Sequence, residues 1–303
     1  MNGLAKAWDS DVLYSFRRSP VAVVSAVVLV VLVIGALFSR WIAPYNPFDL
    51  ASLNLMDSLQ PPSFMPEGSA AHVLGTDDQG RDVLSGIMYG LRISLIVGVC
   101  AVIFAVVVGI AVGLLAGYAG GLVDAALMRV ADVQLSFPAI LIALLVDGVV
   151  TAALPRNLHE ELQIYVLIFA IGISFWPQFA RTVRGSTLVE RGKEYVMAAR
   201  VIGLSPARIM LTHILPNVLG PVMVIGTLTL GLAVISEATL SFLGVGLPPT
   251  QPSVGTLIRI GNDFLFSGEW WITIFPGLTL VLMVLSINLL GDWLRDALNP
   301  RLR

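Results

Sequence analysis

The chain reads as an all-α integral membrane protein with six transmembrane helices. Of its 303 residues, 56% are hydrophobic and only 13% charged, whereas soluble domains carry about 25% charged residues. Its mean hydropathy is +0.86. Uncharged apolar runs near the roughly 20-residue length that a bilayer requires recur along the sequence. The net charge of −2 gives no global attraction for nucleic acid.

The elements follow in order. Residues 1–20 end on Arg17 and Arg18, and a first span covers 21–39 without a charge. A secretory signal has an apolar core of about 7–15 residues, so this longer run predicts a retained helix. A long loop over 40–91 opens Trp41-Ile-Ala-Pro-Tyr-Asn-Pro, whose prolines rule out a continuous helix. Further spans are predicted at 93–117, 133–153, 164–183, 218–243 and 271–291. Pro138 and Pro177 are expected inside the third and fourth, each bending its helix. A short acidic loop near 154–163 carries Glu160 and Glu161. A second Gly- and Pro-containing loop covers 244–270 and ends at Trp270-Trp271, residues suited to the membrane interface. Residues 293–303 form a tail.

Basic residues set the orientation. With the N-terminus cytoplasmic, 13 of the 18 Lys and Arg fall on the cytoplasmic side, leaving Arg40, Arg81, Arg92, Arg156 and Arg259 outside. Both termini and the segment 184–216 then face the cytoplasm.

Several signals carry little chemistry. Gly75-Thr-Asp-Asp-Gln-Gly80 has the glycine spacing of a phosphate loop, but Arg81-Asp82 stands where Lys and Ser/Thr are needed. Glu160 and Glu161 are adjacent, which suits a solvated face better than paired acid–base work. Cys100 has no second cysteine to pair with. His72, His159 and His213 lack ligand spacing, so no metal site is expected. The chain has no catalytic constellation and reads as non-enzymatic. Ala105, Gly109, Gly113 and Gly117 form a stripe suited to close helix packing, within the chain or against a partner. Glu237 is the one carboxylate well inside an apolar run. Such a residue points to a pathway or a partner interface, or to a bond with neighbouring backbone.

The polar, basic segment between spans four and five is the most distinctive. Residues 188–202 read as a short helix with Leu188, Tyr195, Ala199 and Ile202 on one side. Arg191, Lys193, Glu194 and Arg200 occupy the other side. Gly203 suits the left-handed residue that ends a helix. Ser205-Pro206 suits an N-cap and first position of a second helix, which Pro216 is expected to stop before span five. This helix–Gly–helix elbow is either a docking element or an amphipathic loop lying on the membrane.

Met197-Ala198-Ala199, three residues, Gly203 and later Leu215-Pro216 resemble the coupling loop of ABC importer permeases, whose pattern begins Glu-Ala-Ala. Met197 stands where that pattern has Glu. Gly75-Thr76-Asp77, Gly80-Arg81-Asp82 and Gly90-x-Arg92-x-Ser94 look like the signature before span two in C-type dipeptide and oligopeptide permeases. Ser136-Phe137-Pro138, Leu240-Ser241-Phe242-Leu243-Gly244 and Leu294-Arg295-Asp296-Ala297-Leu298 fit as well.

The resemblance implies the type I ABC importer permease fold with an additional N-terminal helix and a core over 92–292. It implies that Glu194, Tyr195, Met197, Ala198, Ala199, Arg200, Gly203, Leu215 and Pro216 engage an ATPase. It further implies a homologous B-type permease, two ATPase subunits holding ATP and magnesium, and an extracytoplasmic substrate-binding protein as partners, in a bacterial inner membrane. This chain itself would bind no cofactor. Glu237 is then a pathway candidate. The cargo implied is short peptides, with nickel or glutathione carried by close relatives. A proton-driven carrier would need a relay of intramembrane charges, which Glu237 alone does not make.

Overall fold

The computed structural model describes residues 11–48, 55–155, 159–247 and 251–298. Among them, five helices are long and apolar enough to cross a membrane, or six if one bent pair counts as a single span.

Helix α1 (Asp11–Arg18) leads into α2 (Pro20–Leu37), the first span. The Ser19 side chain accepts a hydrogen bond from the Ala22 N–H, and Pro20 occupies the first turn, where its missing N–H costs nothing. A single turn, α3 (Ser39–Ile42), follows.

Helix α4 (Val83–Ala119) starts ten residues before the expected span. Asp82 caps it, accepting from the Ser85 N–H at 2.8 Å. Its 37 residues span about 55 Å at 1.5 Å per residue, far beyond the roughly 30 Å hydrocarbon core. It ends at Gly120 and Gly121, both left-handed with φ of 68° and 56°.

The expected third span, 133–153, is not one helix. Helix α5 (Gly121–Leu135) and helix α6 (Ala139–Ala153) meet at 94°. Pro138 lies before α6, at its N-cap with extended ψ, rather than inside a bent helix. Proline disfavours helical conformation in the residue before it and has no N–H to continue the ladder, so the chain breaks there. Pro177, by contrast, lies within the continuous helix α7 (His159–Glu190), as expected.

After α7 come the short α8 (Glu194–Val201) and α9 (Pro206–Arg208). A π turn, Ile209–Ile214, feeds α10 (Leu215–Phe242), the fifth span. Helix α11 (Val254–Asn262) precedes the last span, α12 (Trp271–Leu298).

The small-residue stripe is used inside the chain. Ala105, Gly109, Gly113 and Gly117 are all buried on α4 and face α7. A Cβ on Gly113 would lie 2.6 Å from the Ala180 carbonyl oxygen, and one on Gly117 2.7 Å from Thr187 Cβ. Only glycine permits this approach, which replaces a hydrophobic drive absent in lipid with dense van der Waals packing. Two apolar cores result. One joins α4, α6, α7, α8 and α10 around Phe179, Ile171 and Leu167. The other joins α2, α4, α10, α11 and α12 around Leu91, Met283 and Trp271. Helices α4 and α10 belong to both.

Candidate functional site

The elbow starts later than the sequence predicts. Residues 188–190 still belong to α7, and the next helix opens at Glu194. Gly203 ends α8 with φ +81°. Its N–H donates to Arg200 O at 3.0 Å, and the Leu204 N–H donates to Ala199 O at 3.1 Å. This doubly bonded left-handed cap satisfies the last carbonyls of the helix. Ser205 and Pro206 open α9 as expected, though the Ser205 side chain makes no capping bond.

Pro216 does not stop the chain before span five. It lies in the first turn of α10, which continues directly from the π turn. Proline has no N–H to offer Thr212 O. Leu215 N–H reaches back five residues to Met210 O, a π bond that carries the helix past the gap.

The buried face of α8 also differs from expectation. Val196 and Ala199 are buried against the chain's own core. Tyr195 is 36% exposed and Ile202 73%. Ala199 is therefore turned away from any partner, whereas Ala198 is exposed. What the elbow presents outward is Met197, Val201 (87% exposed), Ile202 and Leu211, apolar side chains on an otherwise polar projection.

Glu190 anchors the elbow. It accepts from Tyr195 Oη at 2.6 Å and from Lys193 Nζ at 2.7 Å. Asn217 Nδ2 donates to Tyr195 Oη at 3.2 Å and to His213 O at 2.7 Å. Burial, and secondly the Glu190 carboxylate, push the Tyr195 phenol up to about 12, so it stays a neutral donor. The elbow is also clamped to the C-terminal end of α4. Arg191 Nη1 donates to Gly117 O at 2.9 Å and Tyr118 O at 3.2 Å, supplying donors to orphan carbonyls at a helix terminus. The Arg200 guanidinium lies 5.0 Å from the Tyr118 ring centroid. Arg184 Nη2 donates to Asp124 of α5 at 2.7 Å. This joint was not singled out from the sequence; the tandem Gly120-Gly121 is the signal that marks it.

Glu237 is fully buried in α10. Ser241 Oγ donates to its Oε1 at 2.8 Å; Ser94 and Ser253 lie near the same carboxyl group, but its Oε2 has no hydrogen-bond partner among the described residues. The residue lies where α10, α4 and the N-cap of α11 meet. A second carboxylate, Asp147 of α6, is 3% exposed, and its Oδ1 has no hydrogen-bond partner among the described residues. Asp147 lies in the interior of the short helix α6.

The Gly75–Gly80 segment builds structure. Asp77 accepts from Arg81 Nε at 2.6 Å and from two backbone N–H groups. Trp271 Nε1 donates to Thr76 O at 3.1 Å. No group of three or more His, Cys, Asp or Glu able to hold a metal occurs among the described residues.

Helices of membrane-crossing length packed around α4 and α10, with an elbow before the fifth span, define an all-helical membrane domain. A solved structure described as "Inward facing conformations of the MetNI methionine ABC transporter" shares this fold. Its TM-score is 0.53 at 22% identity, over 70% of this chain and 96% of that one.

The chain belongs to the family described as binding-protein-dependent transport system inner membrane component, which it matches over residues 109–303. Residues 7–62 match the N-terminal TM domain of oligopeptide transport permease C. It is 41% identical over 291 residues to the dipeptide transport system permease protein DppC of Escherichia coli K12, covering 95% of this chain and 91% of the relative. It is 36% identical to the di/tripeptide permease DppC of Pseudomonas aeruginosa UCBPP-PA14, with coverages of 95% and 91%. It is 39% identical to the glutathione permease GsiD of Shigella boydii Sb227, with coverages of 95% and 89%. The chain is thus a multi-pass inner-membrane ABC importer permease of the OppC/DppC type. ATP binding and hydrolysis reside in separate subunits.

Proposed function

We propose that this chain forms half of the path by which an ATP-driven importer brings dipeptides and similarly short peptides into the cell. The 41% identity to a dipeptide permease over 95% of the chain carries this reading. Glutathione is the second reading, favoured by 39% identity to a glutathione permease. The partners are a homologous B-type permease, two ATPases and an extracytoplasmic binding protein. The core over 92–292 works with the additional N-terminal helix at its side, and both termini and the elbow lie in the cytoplasm.

In this reading the elbow seats in a cleft of one ATPase. Glu194, Tyr195, Met197, Ala198, Ala199, Arg200, Gly203, Leu215 and Pro216 build it. Met197, Val201 and Ile202 make the apolar contact. Closure of the ATPase pair then shifts the population between outward-open and inward-open states, and the Arg191 and Arg184 clamps pass the movement to α4 and α5. Glu237 acts on the path by holding α4, α10 and α11 together.

Two measurements test this. Calorimetry of the cognate binding protein against dipeptides, tripeptides and glutathione decides the cargo, and preference for glutathione would replace the peptide reading. Val201→Asp places a charge in the apolar contact and is expected to release the ATPases from purified complexes while the chain still inserts. Retention of both ATPases with cargo-stimulated hydrolysis would dismiss the elbow as the coupling element.

A further inference from the structure

Two adjoining cavities lie at the end of the spans that carries the 40–92 loop. One, of about 380 Å³, is lined by Arg40, Phe48, Tyr89, Arg92, Ile96 and Ile164, among others. The other, of about 290 Å³, is lined by Val33, Leu37, Arg92, Ile96, Val99 and Cys100 among its residues. They share Arg92 and Ile96, so a mouth flanked by two arginines opens onto an apolar groove between α2 and α4.

The two arginines mark one depth. Arg40 is the first charge after the uncharged run of α2, and Arg92 the last before the uncharged run of α4. Both therefore stand at the same membrane–water boundary. Among the described residues neither arginine has an ion-pair or hydrogen-bond partner, and neither cavity is lined by Asp or Glu. From Arg92 to Cys100 the groove descends about 12 Å into the apolar layer, at 1.5 Å per residue.

We infer that this site holds one anionic phospholipid, its phosphate on Arg40 and Arg92 and an acyl chain in the α2–α4 groove. Guanidinium groups bind phosphate by paired N–H donors, and basic pockets between membrane helices select anionic headgroups. A zwitterionic lipid would fill the groove equally but would gain less at the mouth. The site needs only membrane embedding and is independent of the cargo and elbow readings.

The intact importer in nanodiscs, with photoactivatable phosphatidylglycerol or phosphatidylcholine carrying the probe in the acyl chain, provides the test. Adducts on Leu37, Ile96 and Val99 are read by mass spectrometry. Two arginines near a headgroup predict a preference for phosphatidylglycerol on the order of 30-fold. The preference is expected to collapse in the Arg40→Gln/Arg92→Gln double variant and to persist in the corresponding double Lys variant. Ile96→Trp is expected to lower labelling by both lipids. Equal labelling by the two lipids, or a preference that survives the double Gln variant, overturns the proposal. So does displacement of the lipid by a dipeptide, which would assign the arginines to cargo. Absence of adducts because another subunit covers the groove overturns it as well.

Discussion

At the scale of single residues, Glu237 shows what burial demands of an ionisable group. A carboxyl group at 0% exposure needs donors in an apolar helix; the Ser241 hydroxyl donates to Oε1, while Oε2 has no hydrogen-bond partner among the described residues. Removing the acceptor strands the Ser241 hydroxyl, at about 1–3 kcal/mol where no backbone carbonyl replaces it. Glu237→Leu is therefore expected to lower both the melting temperature of the complex and transport, with Glu237→Gln, which keeps an acceptor, falling between it and wild type. Wild-type transport by the Leu variant would remove Glu237 from the working parts. Sequence alone located this residue but not its surroundings, because Ser94 and Ser253 lie far away in the chain.

At the scale of elements, glycine decides how close α4 and α7 come. Gly113 faces backbone, which cannot move aside. Gly113→Leu is expected to destabilise the fold by at least the roughly 1–3 kcal/mol typical of overpacking, read as lost expression and a lower melting temperature. Gly148→Leu on α6, where a Cβ meets nothing within 4 Å, serves as the control. A normal melting temperature for the Gly113 variant would mean that the two helices are not in register as described. Five of the six spans were readable because composition fixes apolar helices of this length almost unaided. The third was not, because hydropathy runs smoothly through 133–153 while Pro138 turns the backbone by 94°. Likewise the elbow's Gly203 cap was readable from a local rule. Its buried face was not, since Val196 and Ala199 are buried by tertiary packing that includes the π turn Ile209–Ile214.

At the scale of the whole molecule, orientation is the property on which the elbow reading depends. Val201 lies on the elbow and Met56 in the 40–92 loop, and both are exposed. In a Cys100→Ser background, Val201→Cys is expected to react with a membrane-impermeant maleimide only after the cytoplasmic face is opened. Met56→Cys is expected to react in intact spheroplasts. The reverse pattern would invert the topology and place the elbow out of reach of any ATPase.

The bond from Trp271 to Thr76 bears on how the protein is made. It joins residues 195 positions apart, and at roughly 5–20 residues per second the ribosome needs roughly 10–40 s to cover that distance. Throughout that interval the loop before α4 lacks its closing donor, although four later membrane segments are already being inserted. The last helix to leave the translocon thus finishes a structure begun by the first third of the chain. A nascent permease that stalls before Trp271 lacks the donor that joins this loop to α12.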